Sequence, residues 1–340
     1  ADSQIALRLL DRDPAAEIGA EWFAARLDRA LALRARLIGG AHYRLVHAEG
    51  DGLPGLVIDR FGDAVVIQPN AAWIGARIDA LVTALDRVLD PAPEVIVVNG
   101  QSRVRRLEGL EQRLSVIRGA LEGPVVVPMN GALYLADLQE GQKTGLFFDQ
   151  RPNHALAARL AGGQTVLDVF AHVGGFGLAC LGGDAPAARV VAIDSAAPAL
   201  ALAEAAAARM GVAEAYETRR GDAFDAMAAA AAAGEHYGLV ICDPPAFAPH
   251  KGAVEAGLRA YEKTARRAAP LVEPGGWLVL CSCSGAVGSE AFREASVKGI
   301  RAAGRDGALV HVGRAGPDHP QHMALPETGY LKALFFRLDG

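Results

Sequence analysis

Asp243 closes the run Gly238-Leu-Val-Ile-Cys-Asp-Pro-Pro-Ala-Phe247 and is followed at once by Pro244 and Pro245. The apolar, β-branched residues before it read as a buried strand. Two prolines remove two backbone donors and fix φ, so neither strand nor helix continues through them. The result is a rigid lip bearing one carboxylate, an aromatic (Phe247) and carbonyls that local pairing does not use. Such a lip suits a flat, amine-bearing ring. A turn after a core strand is the plainer reading of the same residues.

Three more acids end apolar runs: Asp168, Asp194 and Asp222. Thr165-Val-Leu-Asp168-Val-Phe170-Ala-His-Val-Gly174-Gly-Phe-Gly177 reads as strand, glycine loop and helix. Glycine lets backbone approach a ligand, and a helix start offers free N–H groups. The order G-G-x-G is not the G-x-G-x-x-G dinucleotide fingerprint, which disfavours a nicotinamide dehydrogenase. Asp194, ending the next strand, is placed to accept ribose hydroxyls. Asp222 can accept from an adenine amine, with Phe224 as an apolar wall. For both, a helix cap is the alternative. Nucleoside acceptors without a phosphate-binding loop suit a nucleoside with a cationic sulfonium. The expected cofactor is S-adenosylmethionine, held by Asp168, Phe170, Gly174, Asp194, Asp222, Asp243 and Pro244.

The nucleophile candidate is Cys283, in Gly275-Gly-Trp-Leu-Val-Leu-Cys281-Ser-Cys283-Ser-Gly285. Cys281 and Cys283 share a strand parity, and Cys283 lies nearer the ligand edge. A thiolate is needed when the methyl acceptor is C5 of a pyrimidine. That carbon attacks only after a thiolate has added at C6 to make an enamine. Asp243 would then hold the base edge and hydrogen-bond N3 as charge develops. The alternative for Cys283 is a small buried hydrophobe. Cys180 and Cys242 lie inside apolar elements and are read that way.

Strand–helix alternation after Arg151 supplies the frame for these residues. Strands at Val166–Phe170, Val190–Ile193, Tyr216–Arg219, Leu239–Cys242 and Trp277–Cys281 imply a doubly wound, mostly parallel α/β sheet. The run Tyr330–Leu338 suits an antiparallel edge strand, paired with Leu309–Val312. Before Arg151 the signals describe a small α+β domain. They comprise a short strand at Ile5–Leu10, a helix at Trp22–Leu37, strands near Leu45–Ala48, Leu56–Ile58 and Ala64–Gln68, a helix at Ile74–Leu89 and a strand at Glu94–Asn99. A hairpin turns on Met129-Asn-Gly131. The expected division is 1–40 (strand and linking helix), 41–136 (central α+β domain) and 137–340.

The chain has 340 residues, of which 51% are hydrophobic and 21% charged, which is a globular composition. No apolar run approaches the ~18 residues of a membrane span, and no signal-peptide pattern is present. Four cysteines imply no disulfide framework and a reducing cytoplasm. Cys281-Ser-Cys283 is too short for a C-x-x-C metal or redox motif, so no metal is expected. A net charge of −5 argues against a generally basic nucleic-acid binder. Arg103, Arg105, Arg106, Arg113 and Arg118 nonetheless form a local group that either contacts RNA phosphates or is a solvated face.

Several blocks resemble the bacterial 23S rRNA cytosine-C5 methyltransferases of the RlmI/RlmO type. They are Gly141-Gln-Lys-Thr-Gly145-Leu-Phe-Phe-Asp149-Gln-Arg151, Leu167-Asp-Val-Phe170 with Gly174-Gly-Phe, Asp243-Pro-Pro-Ala-Phe247, Ser282-Cys283-Ser-Gly285, and His319-Pro with Pro326-Glu-Thr-Gly-Tyr330-Leu-Lys332. The resemblance covers nearly the whole chain. It implies a Rossmann-like class I methyltransferase domain behind the small α+β domain. It also implies Phe148, Asp149 and Arg151 at the cofactor pocket, attack by Cys283 on cytosine of 23S rRNA, and a homodimer. Such proteins usually open with a PUA domain of roughly 70 residues, smaller than a typical domain. None is visible, and Ala1 looks like the point just after one. His172 stands where the family commonly has a hydroxyl-bearing residue. The competing readings are a methyltransferase acting on an exocyclic amine, which needs no thiol, and a non-catalytic RNA-binding or assembly protein.

Overall fold

The computed structural model describes residues 5, 7–139 and 145–339, without the side chain of Arg103. The Gly-Gln-Lys-Thr portion of the Gly141–Gly145 block lies outside the described residues. The chain forms two compact units. The first comprises Ala1–Val127, Ala136–Asp149 and Gly316–Thr328, and the second Pro128–Leu135, Gln150–Ala315 and Gly329–Gly340. These units are not separated by a single cut after residue 136. The division assigns most of a hairpin to the second unit and a late segment to the first.

The first unit begins with helix α1 (Ala20–Leu37), which buries Trp22, Phe23, Leu27, Ala30 and Arg34. It continues with strands β1 (His42–His47), β2 (Leu56–Phe61) and β3 (Ala64–Pro69). Helices α2 (Ala72–Gly75) and α3 (Ile78–Val88) follow, then β4 (Val95–Asn99), α4 (Arg103–Leu107) and β5 (Leu114–Arg118). The strands form one sheet in the order β1-β2-β3-β4-β5. Phe23, Leu27, Leu45, Ile58, Val65, Leu81 and Ile96 belong to its apolar core.

Two expectations are corrected here, and two elements were not expected. Residue 5 and residues 7–10 form no strand, and Leu7 and Leu9 are exposed. One helix expected over Ile74–Leu89 is two, because the chain turns at Arg77, whose N–H bonds back to Ile74 O at 2.9 Å. Short α4 and β5 escaped the sequence reading: five residues each give little periodicity to detect.

Strands β6 (Val125–Met129) and β7 (Ala132–Ala136) make the expected hairpin. Asn130 (φ 55°) and Gly131 (φ 76°) both sit in the left-handed region, as a tight primed turn requires.

The second unit alternates strictly. Helix α5 (Arg151–Leu160) leads into β8 (Thr165–Val169), α6 (Gly175–Leu181), β9 (Arg189–Asp194), α7 (Ala197–Arg209), β10 (Tyr216–Arg220), α8 (Ala223–Ala232) and β11 (Tyr237–Cys242). Then come α9 (Val254–Ala268), β12 (Val272–Ser282), α10 (Ser289–Ala302), β13 (Gly307–Gly313) and β14 (Lys332–Leu338). The sheet order is β10-β9-β8-β11-β12-β14-β13. Strands β10 through β12 in that order run parallel, while β14 is antiparallel to both β12 and β13. Thus β13, not β14, takes the edge. Every residue of β11 is buried, as a continuous apolar run demands of a central parallel strand. The strand order reverses between β8 and β11, which places the binding crevice of such a sheet beside Asp168 and Asp243.

Candidate active site

Asp243 follows the last residue of β11, and its N–H still bonds to Val169 O of β8 at 3.2 Å. Ladder pairing stops there, because Pro244 and Pro245 have no N–H. Pro244 is buried and Pro245 exposed, so the lip is anchored on one side and open on the other. The half-buried Asp243 carboxylate accepts from Gln150 Nε2 at 2.9 Å. Gln150 is 2% exposed, and its own carbonyl oxygen accepts from Asn153 Nδ2 at 2.6 Å. The Asn153–Gln150–Asp243 relay fixes which way the amide points and therefore which way the carboxylate faces.

Cys283 lies just past the end of β12, the strand paired beside β11. Its Sγ is 3.9 Å from Pro244 O, so the nucleophile candidate and the lip are in direct contact. It is half-buried, whereas Cys180, Cys242 and Cys281 are buried. Burial pushes the thiols of those three up, which removes them as thiolates at neutral pH.

The turn carrying Cys283 is braced on both sides. Ser282 Oγ donates to Tyr261 OH at 2.9 Å, and Tyr261 OH pairs with Ser284 Oγ at 2.7 Å. Ser284 Oγ also accepts from Ala248 N at 3.0 Å, tying the turn to the segment after the lip. All three hydroxyls are buried, where a satisfied network holds geometry tightly.

The glycine loop hangs from two acids. Asp168 is 1% exposed, and its Oδ2 accepts from Gly177 N at 2.8 Å. Burial pushes this carboxyl up to about 7, against the opposing pull of that hydrogen bond. Asp168 therefore braces the loop from beneath. Asp194 Oδ2 accepts from His172 N and its Oδ1 from Ala196 N, both at 2.8 Å. Gly174 caps α6 at φ 82°, and a Cβ there would lie 2.7 Å from Tyr216 OH. Phe170 (φ 64°) stands edge-on to Phe224 and Phe247, at 6.3 and 6.4 Å between centroids.

Asp222 is exposed and caps α8, its Oδ1 accepting from Phe224 N and Asp225 N. Its Oδ2 makes no hydrogen bond among the described residues. Phe148 and Asp149 belong to the first unit. There Phe148 is 1% exposed and packs 5.1 Å from Phe61, so its ring serves a core. Asp149 is 6% exposed and pulls the His47 imidazole upward, though burial dominates and His47 is lowered to about 3. Arg151 opens α5, with its carbonyl accepting from Asn130 Nδ2 at 2.8 Å. Of the arginine group, Arg105 bonds Glu111 O and Pro69 O, and Arg118 pairs with Asp86. Arg106 and Arg113 remain exposed, and the side chain of Arg103 lies outside the described residues.

Sequence reasoning missed Gln150 and Tyr261. Gln150 sits between two selected residues of the Asp149-Gln-Arg151 block, and that adjacency was its only signal. Tyr261 has none, because its role depends on α9 packing under β12.

A parallel sheet with this strand order, a glycine loop after β8 and an acid ending β9 define a nucleoside-binding α/β enzyme. Residues 112–337 match the S-adenosylmethionine-dependent methyltransferase family, and the chain belongs to it. The Deinococcus radiodurans ribosomal RNA large subunit methyltransferase is 36% identical over 99% of this chain and 84% of its own length. Ribosomal RNA large subunit methyltransferase I of Aeromonas hydrophila is also 36% identical, over 98% of this chain and 85% of its own. Among solved structures, a Streptococcus mutans protein assigned as a SAM-dependent methyltransferase superposes with a TM-score of 0.81 at 20% identity, covering 95% of this chain and 82% of its own. Another assigned methyltransferase, complexed with SAH, gives 0.82 at 21% identity over the same shares. These two show the fold. No helix among the described residues is long and apolar enough to cross a membrane.

Proposed function

We propose that the protein methylates C5 of a cytosine in 23S ribosomal RNA, with Cys283 as nucleophile. The contact between Cys283 Sγ and Pro244 O carries this reading. It sets the one half-exposed cysteine beside a carboxyl-bearing lip that suits a planar base. The names of the relatives support ribosomal RNA as the substrate class.

S-adenosylmethionine, when bound, supplies the electrophilic methyl group. The residues fit it: each Asp194 oxygen accepts one backbone N–H and keeps a lone pair for a ribose hydroxyl. Phe170 and Phe224 offer apolar edges for the adenine, and Asp222 keeps Oδ2 for its amine.

On the substrate side, the Cys283 thiolate adds to C6 of cytosine, and the electron pair moves to C5 as an enamine. C5 takes the methyl group. A base then removes the C5 proton, the C5–C6 double bond reforms, and the thiolate leaves. The Asp243 carboxyl, oriented by Gln150, holds the N3 and N4 edge through this sequence. A base inside a duplex would have to be flipped out, whereas a loop base costs less.

Nucleoside mass spectrometry of 23S rRNA from a strain lacking the gene tests the proposal. Loss of one 5-methylcytidine is expected, and an unchanged nucleoside profile would overturn it.

A further inference from the structure

Lys332 opens β14 directly opposite Ser282 of β12 and is 5% exposed. Its Nζ donates to Ser284 O at 2.8 Å and to Val287 O at 2.7 Å. Both acceptors lie on the turn immediately after Cys283. The ammonium thus ties two carbonyls of that turn together, beside the hydroxyl contacts made by Tyr261. Its partners are neutral carbonyls, and it makes no ion pair among the described residues. A buried charge without a counter-charge is costly, and an Arg or Lys so placed is normally paired.

Cys283 acts electrostatically on Tyr261 and Cys281, which are neutral acids, and on Lys332, which is a cation. We propose that Lys332 is a positioning residue that serves as the counter-charge of the Cys283 thiolate while clamping the nucleophile's turn. The role rests on Cys283 being the nucleophile, but the charge pairing itself is measurable without catalysis. Burial pushes the Lys332 ammonium down to about 8, and Cys283 pulls it back up, as an attracting pair must. Loss of the ammonium removes that attraction, so the thiol should ionise at higher pH.

The test is the pH profile of Cys283 alkylation by iodoacetamide in the full chain, read by peptide mass spectrometry without cofactor or RNA. Lys332→Gln keeps a donor for the turn but no charge. Its midpoint should rise by about one pH unit, which slows alkylation below the midpoint about tenfold. Lys332→Arg should restore most of the difference. A wild-type midpoint, followed by ultraviolet thiolate absorbance against Cys283→Ala, should fall below the ordinary thiol value of about 8.5. That measurement needs no Lys332 variant to fold. An unchanged midpoint in folded Lys332→Gln, or a wild-type midpoint at or above the ordinary value, overturns the pairing. Methylation retained by Cys283→Ala would instead overturn the nucleophile and leave the pairing standing.

Discussion

Gln150 Nε2 donates to Asp243 Oδ2 at 2.9 Å, and the amide is itself held by Asn153. The lip therefore presents its carboxyl in one orientation before any substrate arrives. Gln150→Leu removes the donor from a buried site. A hydrogen bond to a charged group is worth roughly 1.5–3 kcal/mol, so methyl transfer should fall about tenfold to a hundredfold. Steady-state kinetics with cofactor affinity measured alongside checks this. A full rate in the variant contradicts the orienting role.

The Tyr261 hydroxyl touches both serines that flank Cys283. Tyr261→Phe keeps the ring and deletes the brace, leaving buried hydroxyls under-satisfied at a cost of about 1–3 kcal/mol. Turnover should drop while the affinity for S-adenosylmethionine, measured by calorimetry, stays within about twofold. A selective loss of cofactor affinity would assign Tyr261 to a different job.

Gly174 and Gly183 both have positive φ, at 82° and 90°, but differ in surroundings. At Gly174 a Cβ would meet Tyr216 OH and Leu178 within 3 Å, whereas Gly183 has nothing within 4 Å. Gly183→Ala should cost only the left-handed strain, about 1–2 kcal/mol. Gly174→Ala should add a clash beneath the cofactor loop and weaken cofactor binding as well. Thermal melts and calorimetry on both variants separate the two effects. Equal behaviour would mean the Tyr216 contact is unimportant.

Asp168 gives a signed pH dependence. Its folded value is raised, to about 7, so its protonated form is the one the fold favours. The associated stability is complete below the unfolded value of about 3.9 and is lost as pH rises through about 7. Asp168→Asn cannot ionise, and its amide oxygen can still accept from Gly177 N. Melting temperature in the cofactor-free protein should therefore fall less between pH 6 and 8 in the variant than in wild type, at about 1.4 kcal/mol per pH unit of the range titrated. Parallel curves would show that Asp168 does not titrate there.

Much of this arrangement was legible in the sequence because four apolar runs of the second unit end at or near an aspartate. The run before Asp243-Pro-Pro could only be a strand that stops, and the Asn130-Gly131 turn could only be a tight hairpin. Helices α4 and α10 and strand β5 went unread, and so did the position of β14 inside the sheet rather than at its edge. The place of a strand within a sheet depends on pairing across distant segments, which local pattern does not encode. The same holds at the site. Asp243 and Cys283 announce themselves by residue type. Gln150, Tyr261 and Lys332 act through contacts with residues 93, 21 and 48 positions away. At Asp222 a carboxylate at a strand end serves equally as a helix cap, and its Oδ1 caps α8.

Covalent trapping tests the central claim most directly. RNA carrying 5-fluorocytidine at the target position has no C5 proton to lose, so the thiolate cannot depart after methyl transfer. With S-adenosylmethionine, the wild-type protein should form a protein–RNA adduct of matching mass, mapped to the peptide containing Cys283. Cys283→Ala should form none and should leave ordinary RNA unmethylated. Methylation of ordinary RNA by the alanine variant, with no adduct in wild type, would contradict the account and move the chemistry from carbon to nitrogen.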